Sequence, residues 1–252
     1  ILFWFSSFFQ KSEKIIPSDY LKIFAASVTG FFLTQITFLI GISDITPMDC
    51  SIMTSLSPIY TMFIAAIVLK EPITFKKAGG VLLSFLGVLF LIYNSVSSGG
   101  GAAETKPIGV LFMFLNGFCF SVYLGVFKPL IMRYSVITFM KWIFLFSSLL
   151  SLPFAGVELM QVQYTALSLE FVAEIFYAIV FATFISYFLI PIGQKHLRPT
   201  LVSMYSYMQP IVATAISIYI GMDTLGWKKV LAAATVFAGV VLVNYSRAAR
   251  QR

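Results

Sequence analysis

The chain has 252 residues, of which 59% are apolar and 11% charged, and carries a formal net charge of +7. Soluble domains carry about 25% charged residues, so this composition excludes a water-soluble globular protein. Apolar stretches of about 20 residues, each long enough to cross roughly 30 Å of hydrocarbon, recur along the length.

In chain order, the apolar run Ile1 to Phe9 has no basic n-region and no small-residue cleavage site, and reads as the tail of a truncated helix rather than a signal peptide. Breaks marked by Pro, Gly and charge then predict eight spanning helices, near residues 21–43, 47–69, 75–95, 107–129, 134–156, 172–193, 199–221 and 227–246. Many are rich in β-branched and aromatic residues, but an open sheet edge in lipid would leave backbone groups unsatisfied, so the expected fold class is all-α, a polytopic transmembrane helix bundle. Ser97, Ser98, Gly99, Gly100 and Gly101 make a flexible linker. The expected organisation is a first half over 1–95, a linker over 96–106 and a second half over 107–252.

A gapless offset of 152 residues supports that division. It aligns Gly41 with Gly193, Pro47 with Pro199, Ser51 with Ser203, Pro58 with Pro210, Glu71 with Asp223, Gly87 with Gly239 and Tyr93 with Tyr245. The first two helices of the second half have no counterpart except Ile1 to Phe9, so the parent is expected to have ten helices. With the tail of Arg247, Arg250 and Arg252 placed in the cytoplasm, 14 basic residues fall on that side and 3, Lys106, Lys228 and Lys229, on the other. Five helices per half is odd, so the two repeats face opposite ways. Inverted repeats of this kind are a transporter signature, with a solute site near the midplane.

The segment from Thr54 through Pro58 and Glu71 to Gly87 and Val88, and its second copy from Val202 through Pro210 and Asp223 to Gly239 and Val240, resemble EamA-type repeats. The resemblance covers nearly the whole chain. It implies a ten-helix member of the drug/metabolite transporter superfamily in a bacterial cytoplasmic membrane, an exporter or exchanger of amino acids or other small metabolites.

Candidate substrate-binding residues follow from intramembrane polarity. Asn116, Phe120 and Tyr123 share one helical face at i, i+4 and i+7; interhelical hydrogen bonding is the competing role for Asn116 and Tyr123. Gln35 aligns with Tyr187, a polar position in both repeats. Tyr205 and Gln209 precede Pro210, and Ser55 precedes Pro58, so the two prolines mark symmetric bends that suit hinges. Gly79, Gly80, Ser84 and Gly87 have small-residue spacing that favours close helix packing. Glu71 and Asp223 stand in loops beside lysine pairs, which suits local ion pairing.

No catalytic, metal or cofactor site is expected. The single histidine, His196, lies in a basic loop, no HExxH or GxSxG is present, and Cys50 and Cys119 sit in or beside apolar segments with no metal-ligand spacing. A membrane-embedded enzyme or a structural or receptor-like membrane protein are the rival readings. The expected partners are a small-molecule substrate and the lipid bilayer, with a homodimer as one possible assembly. The positive charge is accounted for by the cytoplasmic rim and calls for no nucleic acid.

Overall fold

The computed structural model describes residues 2–10, 13–45, 50, 53–96, 106–161, 168–219 and 226–246, and these form helices, turns and short connections with no strand among them. The first described helix is α1 (Leu2–Ser7). A continuous helical stretch follows, made of α2 (Pro17–Ser27), a π-helical segment (Val28–Leu33) and α3 (Thr34–Ile42). Next come α4 (Ser57–Val68), α5 (Phe75–Val96), α6 (Pro107–Val126), α7 (Lys128–Arg133) and α8 (Val136–Gln161). A second long stretch joins α9 (Leu169–Tyr177), a π-helical segment (Ala178–Ile185) and α10 (Ser186–His196). The chain ends with α11 (Pro199–Met204), a 3₁₀ turn (Tyr205–Tyr207), α12 (Met208–Tyr219) and α13 (Trp227–Asn244).

Four stretches among the described residues are long and apolar enough to span a membrane: Pro17–Ile42, Pro107–Val126, Val136–Gly156 and Leu169–His196; Ser57–Val68 and Val230–Asn244 are shorter apolar helices. Proline stands in the first turn of α2, α4, α7 and α11, where its missing N–H has no helical partner to lose and its fixed φ suits the helix.

The 152-residue register reappears in the element boundaries. α2 and α9 begin at Pro17 and Leu169, the π segments end at Leu33 and Ile185, and α5 and α13 begin at Phe75 and Trp227. The sequence expectation of two smooth spanning helices near 172–193 and 21–43 did not include the π turns. In the second of them the hydroxyls follow the wider winding: Thr183 Oγ1 donates to Ala178 O at 2.9 Å and Ser186 Oγ to Phe181 O at 3.0 Å, each across five residues.

The helices gather into two compact units, Ile1–Phe32 with Phe127–Leu197, and Leu33–Val126 with Arg198–Arg252. Each takes segments from both sequence halves. In the first unit, α1, α2 and α10 pack on α8. Their contact is an aromatic layer in which Phe3 lies 4.9 Å from Phe144 and 4.6 Å from Phe184, and Phe31 lies 5.3 Å from Phe144, between ring centroids. Lys141 places its ammonium 5.1 Å from the Trp4 ring, a cation–π contact in addition to the stem burial expected of a snorkelling lysine.

In the second unit, α6 packs on α3 and α4 through Gly109, Met113, Gly117, Ser121 and Gly125, all buried and spaced four apart. A Cβ at Gly109 would stand 2.5 Å from Asp44 O, and one at Gly125 2.5 Å from Ile64 Cγ2, so only glycine admits this approach. α5 packs on α13 through the predicted small-residue positions. Gly80 faces Gly239 and Val243, Gly87 faces Ala232 and Val236, and Ser84 Oγ donates to Val236 O at 3.0 Å.

Across the 152-residue offset, Gly80 corresponds to Ala232, Ser84 to Val236 and Gly87 to Gly239. Gly80 therefore meets the counterpart of Gly87, Gly87 meets the counterpart of Gly80, and Ser84 meets its own. Contacts that recur with roles exchanged define an isologous pairing about a two-fold axis. Residue numbers rise along one helix as they fall along the other, so the axis crosses the helices and the two equivalents run antiparallel. That is the geometry of inverted repeats.

Candidate functional site

Both repeats interrupt a helix at the same place in the register. In the first, residues 53 and 54 are helical, 55 and 56 form a turn, and α4 starts at Ser57 with Pro58 in its first turn. In the second, the 3₁₀ turn Tyr205–Tyr207 lies at the counterparts of residues 53–55, and α12 starts just before Pro210. Proline supplies no N–H to the carbonyl four residues earlier, which explains why regular winding fails on the N-terminal side of each. The breaks fall where the two prolines mark bends, inside the second unit.

The second unit holds most of the candidate residues. Asn116 donates from Nδ2 to Thr34 O at 2.7 Å, fixing α6 to the residue where π winding returns to α, beside Gln35. This is the interhelical hydrogen bond named above as the competing role. Gln35 itself is exposed on α3. Phe120 and Tyr123 stack with centroids 6.2 Å apart, and Tyr123 is buried. Ser55 is buried at the first break, and Pro58 is buried behind it. Ser121 Oγ donates to Ser57 O at 3.1 Å, tying α6 to the first residue of α4. At the second break, Tyr205 and Gln209 are exposed and Pro210 is half-buried.

Tyr187 belongs to the first unit, with its ring 4.6 Å from Phe31 and 5.8 Å from Phe144. The serines around the breaks serve the backbone: Ser203 Oγ donates to Thr200 O at 2.9 Å and Ser206 Oγ to Ser203 O at 2.7 Å. Hydroxyls placed this way satisfy the backbone of a bent helix.

Two ionic arrangements lie near helix ends. The Lys77 ammonium is 2.7 Å from Glu71 Oε2, the local ion pairing expected of this loop, with Lys77 fully buried and Glu71 nearly so. Thr74 Oγ1 accepts from Lys77 N at 3.2 Å, which seats the first turn of α5. In the first unit, the buried Asp19 carboxylate accepts from Lys22 Nζ at 2.8 Å, Arg133 Nη1 at 2.6 Å and Tyr134 Oη at 2.8 Å. Glu13 Oε2 accepts from Ser135 N at 2.9 Å, and Lys195 Nζ donates to Tyr134 O at 2.7 Å. This cluster fastens α2 and α10 to the connection between α7 and α8.

Sequence reasoning did not single out Asp19. Its signal was an acid in the first turn of a helix opened by Pro17, where the helix dipole favours negative charge. Arg198 donates to the carbonyls of Val243, Asn244 and Ser246 and so caps the end of α13. Asp223 and most of the predicted 96–106 linker lie outside the described residues.

The matched family covers most of the chain: the EamA-like transporter family aligns with residues 1–93 and 107–245. The chain belongs to this family. A transporter, not an enzyme, is therefore the class that the family supports. Among relatives, the uncharacterized transporter YetK of Bacillus subtilis is 24% identical over 234 residues, 90% of this chain and 70% of that protein. An uncharacterized transporter of Archaeoglobus fulgidus is 24% identical over 175 residues, 69% of this chain and 59% of its own length. The S-adenosylmethionine/S-adenosylhomocysteine transporter of Chlamydia muridarum is 28% identical over 104 residues, covering 41% of this chain and 32% of that one. A solved crystal structure superposes with a TM-score of 0.74 over 96% of this chain and 82% of its own, at 16% identity, a likeness of fold alone.

Proposed function

We propose that the protein is a secondary transporter that exports or exchanges amino acids or other small metabolites by alternating access. The supporting observation is the antiparallel, self-reciprocal pairing of α5 and α13 through Gly80, Ser84, Gly87, Val236 and Gly239. An inverted pair of repeats can exchange conformations so that a site opens first to one side and then to the other. The candidate lining is uncharged, with Gln35, Asn116, Tyr123, Tyr205 and Gln209 supplying amides and phenols among aromatic rings. Such a lining suits zwitterionic or weakly polar solutes. The membrane is a bacterial cytoplasmic one in this reading, with the C-terminal arginines on the cytoplasmic side.

The test is counterflow in proteoliposomes with a labelled panel of amino acids and small metabolites. S-adenosylmethionine and S-adenosylhomocysteine are included because the chlamydial relative bears their names. Saturable exchange of at least one solute is the expected result. Folded protein that exchanges none of them across the panel argues against the reading.

A further inference from the structure

The inference concerns the face of α11 and its 3₁₀ turn that carries Thr200, Ser203, Met204 and Tyr207, residues spaced i, i+3, i+4 and i+7 and all buried. α11 lies against α4, α6 and α13, and the turn touches α5, all within the second unit. Ser203 is satisfied by its own helix. The Thr200 and Tyr207 hydroxyls are not: both residues are 0% exposed, and neither Oγ1 nor Oη has a hydrogen-bond partner among the described residues.

Three other fully buried hydroxyls of the unit are paired. Thr61, Ser84 and Ser121 are equally buried, and their hydroxyls donate to Ser57 O, Val236 O and Gly117 O. Buried polar groups are nearly always paired, so an orphaned hydroxyl calls for an explanation outside the packing of this one conformation. Phenylalanine would fill the Tyr207 volume without any orphan, and the chain uses 27 Phe against 12 Tyr. A volume requirement alone therefore does not account for tyrosine.

The local backbone supplies the means of change. The orphaned phenol stands in a 3₁₀ turn, whose hydrogen bonds are poorer than those of an α-helix. Pro210, three residues on, withholds a donor from Ser206 O. The register counterpart of Tyr207 is Ser55, buried at the matching break.

We propose that Thr200 and Tyr207 form a hydrogen-bonding station for a small uncharged or zwitterionic polar molecule, water or the carried solute, reached when the turn Tyr205–Tyr207 rearranges. Placing this station on a transport path rests on the function proposed above. The substrate contacts predicted at Tyr205 and Gln209 then lie on the outer side of the same turn.

Two measurements on the protein in membranes and proteoliposomes test it. Tyr207→Phe is expected to leave the thermal midpoint unchanged or raised while slowing counterflow several-fold; a lowered midpoint with unchanged flux means that the hydroxyl is a structural donor, which overturns the station. For access, Tyr207→Cys is placed in a Cys50→Ser, Cys119→Ser background and treated with 2-aminoethyl methanethiosulfonate, with Val236→Cys in the buried α5–α13 seam as control.

An open state populated to roughly 0.1–10% should let Tyr207→Cys react at that fraction of the rate of an exposed cysteine, and faster than the control. Equal protection at both positions overturns the proposal even if the protein exchanges solute. Labelling at Tyr207→Cys without solute exchange upholds the station and removes the transporter reading instead. Protection of Tyr207→Cys by a panel solute that the protein exchanges identifies the partner as solute, and labelling indifferent to every exchanged solute identifies water.

Discussion

The α5–α13 seam and the paired helix breaks before Pro58 and Pro210 occupy equivalent places in the two repeats, yet only the seam keeps side chains of similar small size in both. Along it, small residues face small residues, and one serine hydroxyl meets a carbonyl. At the breaks, Ser55 in one repeat corresponds in register to Tyr207 in the other, and Ser57 to Gln209. Close backbone packing constrains both members of a pair, because each fills the space the other leaves. A site for a solute has no such reciprocity, and the repeats are free to diverge there.

The largest expected effect lies next to the seam, where α5 begins. Glu71→Ala would leave the buried Lys77 ammonium without its partner, and breaking a buried pair from one side costs about 3–5 kcal/mol. A thermal or denaturant series on detergent-purified protein should show that loss, and replacement of both residues by Leu and Met should recover much of it. Retention of full stability in Glu71→Ala would mean that water reaches Lys77. Gly239→Leu follows in size. Its side chain would have to enter the space held by Ser84 and the Gly80 carbonyl, and overpacking of this kind costs about 1–3 kcal/mol or more. The same exchange at Gly193, where a Cβ would meet nothing within 4 Å, should be tolerated, and equal sensitivity at both glycines would remove the seam from its central place.

Single hydrogen bonds come next. Ser84→Ala removes the bond to Val236 O, and Asn116→Ala removes the bond to Thr34 O. Interhelical bonds in membrane proteins average about 0.6 kcal/mol, so each variant should lower stability by roughly that amount. The two should differ in function: Ser84→Ala leaves flux intact, and Asn116→Ala lowers it if the π-to-α junction at Thr34 moves during transport. Equal flux in both would assign Asn116 to packing alone.

The helical class, the order of the spans and the repeat register were legible in the sequence because each rests on features that extend over many residues. Hydropathy persists for a whole span, and Pro58, Pro210, Gly87 and Gly239 keep their spacing over a full half. The packing role of Gly80, Ser84 and Gly87 was legible too, since small side chains repeated three and four residues apart have one common use. The π segments were not, because Val28–Leu33 and Ala178–Ile185 are as apolar as any regular spanning helix and the extra residue per turn leaves no compositional mark. Asp19 was hidden for a different reason. Its partners Arg133 and Tyr134 lie more than a hundred residues away, and a single acid at a helix start looks like an ordinary first-turn residue. Tyr207 was overlooked beside Tyr205 and Gln209 because neighbouring polar residues cannot be assigned to inner and outer faces until the 3₁₀ turn sets their directions.

The smallest expected effect on stability concerns those outer residues. Tyr205 and Gln209 are exposed on the second break and no hydrogen bond fixes either side chain among the described residues, so Tyr205→Phe and Gln209→Ala should each change the thermal midpoint little. Surface substitutions without buried partners usually fall within about 0.5 kcal/mol. Flux is the informative readout. If both residues contact the solute, counterflow falls in each variant while protein yield and midpoint stay at the parent level, and the apparent KM rises more for Gln209→Ala, which loses both a donor and an acceptor, than for Tyr205→Phe. Unchanged flux in both would confine solute recognition to the inner face of the turn, the side that carries Thr200 and Tyr207, and would make the asymmetry between the two repeats a property of buried hydroxyls rather than of exposed ones.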